Sequence, residues 1–188
     1  PGANGAETAV TSRATLTKKN VLTVKQVFKA AAALKAANAK PINGNYVAII
    51  HPYVAYDLMM EAGNQWIDIQ KYKNPENIYE GEIGKIGGVR FVQTTEAKVW
   101  KGTSDKCADG VAVFGTLFIA ANAYGKTSVE GGGLETIVKQ KGSAGTADPL
   151  NQRSTIGWKA VKTAEILTEE YMIRVESGSS WNDQVEAN

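Results

Sequence analysis

The residues of this 188-residue chain that come closest to a chemical motif are Tyr124-Gly-Lys-Thr-Ser128. Glycine, lysine and a hydroxyl in that order end a phosphate-binding loop, where backbone amides and the ammonium group cradle phosphate oxygens. The full loop needs a glycine five residues before Gly125, and Ala120 stands there. Nucleotide hydrolysis through Gly125, Lys126 and Thr127 is therefore an alternative that lacks half of its motif. Gly131-Gly-Gly133 lacks the G-x-G-x-x-G spacing that lets a helix N-terminus meet a pyrophosphate; it predicts a turn, and there is no cofactor signature. His51, the single histidine, has no carboxylate or cysteine at motif spacing and is expected at the end of a strand. With the single cysteine, Cys107, it leaves too few ligands for the usual zinc sets, so no metal site is expected. A lone thiol makes no intrachain disulfide, which points to a reducing compartment. Serines, threonines and acids are plentiful, but no G-x-S-x-G or second histidine sorts them into nucleophile, base and orienter. The expectation is a protein with no catalytic residue.

Composition agrees with a packed protein. Hydrophobic residues make 43% and charged residues 21% of the chain, which disfavours disorder, collagen or a coiled-coil rod. No apolar run reaches the roughly 18 residues of a spanning helix, and Pro1–Thr17 lacks a signal-peptide core, so no membrane partner is expected. The length suits one domain or two small lobes. A chain beginning at Pro1 is expected to be a processed product or a fragment.

The net charge of +2 is uneven. Arg13, Lys18, Lys19, Lys25, Lys29, Lys35 and Lys40 face Glu7 alone over Pro1–Lys40, a surplus of six that leaves −4 for the rest. A basic segment on an acidic body suits nucleic acid or the negative face of another copy. The same segment carries the clearest helix. Thr23 and Gln26 have capping-box spacing, and Val24, Val27, Phe28, Ala31 and Leu34 recur on one face opposite Lys25 and Lys29. The helix is expected to stop before Pro41.

Further along, Tyr46–Ile50 predicts a buried strand after a turn at Asn43-Gly44, and Tyr53–Glu61 predicts a helix with Val54, Leu58 and Met59 inward. Trp66, Ile67 and Ile69 are expected to continue helical or turn-like up to Pro75. Gly84–Thr95 predicts a hairpin around Gly87-Gly88, with Val99-Trp100 continuing it. Lys101–Gly110, including Cys107, is expected to be an exposed loop, and Val111–Ala121 a central strand or a strand leading into a short helix. Leu134–Lys139 and Ser154–Leu167 have strand composition. Tyr171–Glu176 alternates with period two and is expected to pair with Ser154–Leu167 across Thr168–Glu170. Ser177–Asn188 is expected to fray. Helices mixed with hairpin-connected strands give an α+β class.

Several of these words in order resemble a known family: Tyr46-Val-Ala-Ile-Ile-His-Pro52, Ala55-Tyr-Asp-Leu58, Glu80-Gly-Glu-Ile-Gly-Lys-Ile-Gly-Gly-Val-Arg-Phe-Val-Gln-Thr-Thr-Glu-Ala-Lys98, Phe114-Gly115, Ala123-Tyr-Gly125 and Glu135-Thr-Ile-Val-Lys139. The most specific is Gly142-Ser-Ala-Gly-Thr-Ala-Asp-Pro-Leu-Asn-Gln-Arg-Ser-Thr-Ile-Gly-Trp-Lys-Ala160. Together, over roughly Leu22–Glu176, they resemble a major capsid protein of tailed double-stranded DNA bacteriophages, whose fold is shared with encapsulins.

The resemblance implies a tailed-phage capsid fold with a spine helix, a peripheral-domain β-hairpin, and an axial domain of mixed, mainly antiparallel sheet plus helices. It implies a flexible segment over 1–22, a peripheral domain over 23–45 and 148–177, an axial domain over 46–147 and a frayed tail over 178–188. The N-terminal arm and extended loop that precede the spine helix in the family find no room in this sequence. The implied role is structural: a capsid subunit that assembles in the bacterial host cytoplasm into pentamers and hexamers of an icosahedral virion shell around double-stranded DNA. Scaffold and portal proteins are implied partners, and contact with packaged DNA is non-specific. Asp148, Gln152, Arg153, Lys25 and Lys29 are the candidate subunit contacts. An encapsulin-like nanocompartment, the nucleotide hydrolase above and a DNA-binding module using the lysine stripe are the alternatives.

Overall fold

In the computed structural model, which describes residues 12–68, 80–127, 132–143, 145–182 and 187–188, Thr23 and Gln26 make the reciprocal cap their spacing predicts. Gln26 N donates to Thr23 Oγ1 at 3.4 Å, and Thr23 N donates to Gln26 Oε1 at 3.2 Å. They open α1 (Val24–Ala36), whose Val27, Ala30, Ala31 and Leu34 are buried. Val24 N donates to Glu61 Oε2 at 3.0 Å, which sets a carboxylate at the positive end of the helix dipole. Phe28, expected inward, is 47% exposed. It lies over Gly87, where a Cβ would stand 2.5 Å from the ring. The helix ends well before Pro41 because Asn38 turns left-handed at φ 56°, and the amides of Asn38 and Ala39 reach back to Lys35 O and Leu34 O.

Next come β1 (Tyr46–Ile50) and α2 (Pro52–Ala62). His51 is the N-cap of α2: its Nδ1 accepts from Tyr53 N at 3.3 Å, and Pro52 takes the first helical position, where no amide is needed. A 3-10 turn, Gly63–Gln65, follows α2, and where helical or turn-like character is expected from Trp66 onwards Ile67–Asp68 form β2. The part of that expectation running from Ile69 to Pro75 lies outside the described residues. The hairpin of β3 (Glu82–Ile86) and β4 (Val89–Gln93) turns through Gly87-Gly88 at φ 59° and 81°, as their pairing in sequence predicts. Then follow β5 (Val99–Lys101), β6 (Ala112–Ile119), β7 (Tyr124–Lys126), β8 (Glu135–Lys139), β9 (Thr155–Lys159), β10 (Ala164–Ile166) and β11 (Met172–Ser177).

The described residues form two compact units: the chain through Ala123 together with Thr168 onwards, and Tyr124–Leu167. The first contains a seven-stranded sheet ordered β11-β6-β1-β4-β3-β2, with β5 also on β6. Only β1 and β4 run parallel; the other pairs are antiparallel, so the class is α+β with mainly antiparallel strands. Strand β6 pairs with three strands, β11, β1 and β5, and sets Phe114 and Phe118 in a core that also takes Phe91, Ile50, Leu58 and Leu34. Arg90 and Glu82 are both buried and pair across β3 and β4, Nε to Oε1 at 2.8 Å. Burial of either alone would be strongly unfavourable. A second cluster joins Leu16, Trp100, Val111 and Val113 with Cys107. Cys107 is 5% exposed, against the expectation of an exposed loop, and burial pushes its thiol pKa up, away from the reactive thiolate.

The expected pairing of Ser154–Leu167 with Tyr171–Glu176 is not what forms. Strand β11 lies along β6, from Met172 opposite Ile119 to Ser177 opposite Phe114. The upstream stretch breaks into β9 and β10, which pair with β8 and β7. Period-two alternation states which face of a strand is apolar but not which strand it meets, and packing Ile173 and Val175 onto the core decides the partner. The frayed tail is corrected as well over Gly178–Asn182. Asp57 Oδ2 accepts from Ser179 Oγ and Ser180 N, both at 2.8 Å, Trp181 stacks on Tyr53 at 5.7 Å, and Asn182 Oδ1 accepts from Ala112 N. Nor is Ser12–Leu22 loose, since Arg13 holds Glu176 through two hydrogen bonds of 2.6 and 2.8 Å and Leu16 and Leu22 are buried. Residues 1–11 of the expected flexible segment and 183–186 of the expected tail lie outside the described residues.

The second unit consists of two ribbons, β7 with β10 and β8 with β9. The unit boundaries, at Ala123/Tyr124 and Leu167/Thr168, cut across both lobes implied by the resemblance.

Candidate interaction surface

The β8–β9 ribbon pairs Glu135 with Lys159, Thr136 with Trp158, Ile137 with Gly157, Val138 with Ile156 and Lys139 with Thr155. Directly opposed residues share a face and successive residues alternate, so Thr136, Val138, Ile156 and Trp158 lie together. The other face carries Glu135, Lys139, Thr155 and Lys159 around a half-buried Ile137, with Lys159 Nζ 2.9 Å from Glu135 Oε2. An amphipathic ribbon ordinarily packs its apolar face on a core. Here Ile156 is 77%, Trp158 75% and Val138 54% exposed. Leu134, Leu150, Val161, Ile166, Leu167 and Tyr124 of the same unit are exposed too. A two-stranded ribbon is marginal by itself, and this many exposed apolar side chains on one small unit make it the candidate interaction surface.

The predicted contact residues fall in two sets. Asp148, Gln152 and Arg153 come together in the loop after the 3-10 turn Gly145–Ala147. Asp148 is buried, and its Oδ2 accepts from Arg153 N at 2.6 Å while Asn151 N donates to Asp148 O at 3.0 Å, so this carboxylate shapes the loop. The side chains of Gln152 and Arg153 are exposed. Lys25 and Lys29 stand one turn apart on the exposed side of α1, in the other unit.

Gly125, Lys126 and Thr127 do not form a phosphate loop. Gly125 and Lys126 lie in β7, opposite Glu165 and Ala164, and Thr127 N is taken by Thr163 O at 3.0 Å. A phosphate loop keeps such amides free, whereas here Gly125 and Lys126 pair along β7 with β10 and the Thr127 amide is already taken. His51 is buried between the rings of Tyr53 and Phe114, at 5.0 and 4.9 Å, and burial holds its pKa below the ordinary value. Its role is to cap α2. Among the described residues no cluster of His, Cys, Asp and Glu is placed to hold a metal, and no helix is long and apolar enough to cross a membrane.

Sequence reasoning missed the apolar face of Val138, Ile156 and Trp158. The alternation Ile156-Gly-Trp158 was its signal, but composition does not reveal that the face stays unpacked. It also missed the clasp of Arg13, which lies 4.0 Å over the Trp100 ring while paired to Glu176. Those three residues are too far apart in sequence to form a motif.

The sequence profile described as phage capsid protein matches residues 2–154 of this chain. Among solved structures, the capsid of Ralstonia phage GP4 superposes with a TM-score of 0.67 at 15% identity, covering 91% of this chain and 51% of that one. The head structure of Helicobacter pylori bacteriophage KHP40 superposes with a TM-score of 0.54 at 13% identity, covering 90% and 61%. The chain thus spans between about half and three fifths of the length of those proteins. Comparison with curated protein sequences gives no match. Identity this low speaks for the fold, which is that of phage head proteins, and the profile match over most of the sequence speaks for descent. The chain belongs to the phage capsid protein family.

Proposed function

We propose that this chain is the major capsid subunit of a tailed phage or prophage, and that copies of it assemble into an icosahedral shell around double-stranded DNA. The observation that carries the proposal, beside family membership, is the ribbon unit: a stretch of the chain whose described large apolar residues are nearly all exposed. Such a surface suits a protein that completes its burial against neighbours. The mechanism is mechanical. Each contact buries a modest apolar area, at about 25 cal/mol per Å², and closed rings repeat it so that many weak contacts hold together. No bond in a substrate is made or broken.

In this proposal Gln152 and Arg153 reach a neighbouring subunit from a loop that Asp148 holds in shape, and Lys25 and Lys29 offer positive charge to a neighbour or to packaged DNA. Scaffold and portal proteins are further partners, and assembly takes place in the host cytoplasm. The peripheral and axial lobes, 23–45 with 148–177 and 46–147, remain the division we propose for the assembled shell. Expression of the full-length protein, followed by electron microscopy and sedimentation, tests the proposal. Closed shells of regular diameter are expected; a permanently monomeric product or irregular aggregates alone would overturn it.

A further inference from the structure

The ribbon is not the only exposed apolar surface. On α2, Tyr56 and Met60 stand one turn apart and are 45% and 65% exposed. Trp181 adds its ring edge-on to Tyr56 at 5.9 Å and is itself 43% exposed. The C-terminal segment holds Trp181 there through the Asp57 carboxylate, which accepts from Ser179 and Ser180. This second patch belongs to the sheet unit, and the ribbon to the other.

We infer that the two patches are partners in successive copies: the face of Val138, Ile156 and Trp158 on one subunit docks on Tyr56, Met60 and Trp181 of the next. The inference rests on the proposed capsid role and names its contact. Two different surfaces on one chain generate a head-to-tail interface, which closes into rings, whereas a ribbon meeting its own twin yields only a two-fold pair. Charge selects between these. Tyr124–Leu167 as a whole carries six Lys and Arg against four Asp and Glu, so bringing two such units together sets like net charge against like. Helix α2 carries Asp57 and Glu61 and no basic residue, so it offers the complementary sign. Aromatic and methionine side chains are also the types that form the centres of protein interfaces.

Crosslinking tests the contact without altering it. Thr136 lies on the ribbon face beside Trp158, and Asn64 lies exposed just beyond Met60, so Thr136→Cys and Asn64→Cys leave all six apolar residues in place. Cys107 is buried and stays out of the reaction. The full-length double variant, assembled and treated with a short bis-maleimide, is expected to give a ladder of covalent oligomers, while each single variant stays monomeric on a denaturing gel. Dimers from Thr136→Cys alone would overturn the inference in favour of ribbon self-pairing. A crosslink confined within one chain, or assembled shells with no crosslink, would overturn it while leaving the capsid role intact. A wild-type chain that never assembles would overturn both.

Discussion

Strands β6 and β9 are both rich in β-branched and aromatic residues, yet β6 is buried along nearly all of its length and every residue of β9 is exposed. Strand β6 has β11 along one edge and β1 and β5 along the other, with helices and side chains over its faces. Strand β9 has β8 alone. The same local propensity is thus satisfied by burial in one unit and left exposed in the other. Substitutions in the buried core of the sheet unit should therefore change folding, and substitutions on the exposed ribbon face should change association.

The sharpest break in that comparison is a matched pair of truncations. Phe91→Ala removes a fully buried ring and is expected to cost about 3–5 kcal/mol in urea unfolding of the unassembled protein. Trp158→Ala is expected to stay within about 0.5 kcal/mol in the same experiment, while lowering assembly about tenfold by sedimentation, since losing one well-packed interface aromatic is worth at least about 1.4 kcal/mol. Equal effects on folding would erase the distinction between the units. Next in size, Arg90→Ala leaves Glu82 without its buried guanidinium partner and is expected to destabilise by about 3 kcal/mol, read from the same denaturation curve.

A smaller effect is expected at the β3–β4 turn. Gly87 sits at φ 59° with Phe28 where a Cβ would go. Gly87→Ala is expected to lose about 1–2 kcal/mol from the left-handed backbone, plus the displacement of Phe28; a neutral melting temperature would contradict the close approach.

Last comes the pH dependence of the sheet unit. Hydrogen bonding to Arg13 holds the Glu176 carboxyl below its ordinary value near 4.5. The stability it confers is complete above that value and is lost as pH falls through the lower, folded-state pKa. Burial lowers the His51 pKa, so the unfolded chain takes up a proton below about 6.5 before the folded one does, and stability declines from there toward acid. Glu176→Gln and His51→Asn are each expected to flatten the matching part of a stability-against-pH curve. Unchanged slopes would show that these groups sit in ordinary surroundings.

What was legible in the sequence was local. The Thr23–Gln26 cap, the Gly87-Gly88 turn and the apolar run of β6 each announce themselves within a few residues, because the forces that fix them act over that distance. The partner of β11, the burial of Cys107 and the seat of Trp181 were not legible, since each depends on segments brought together from far apart. The expected hairpin of Ser154–Leu167 with Tyr171–Glu176 failed for that reason: adjacency in sequence lost to the burial offered by β6. At the interaction surface, the turn held by Asp148 and Arg153 links residues five apart, so it too lies within reach of local reading. The ribbon face was hidden because an exposed Trp158 and a buried one read alike.

Backbone hydrogen exchange at Glu135–Lys139 and Thr155–Lys159, compared between unassembled and assembled full-length protein, tests the central claim most directly. If subunits complete their burial on one another, these amides exchange fast before assembly and become strongly protected in the shell, while β6 is protected in both. Ribbon amides that exchange at the same rate in monomer and shell would contradict the account.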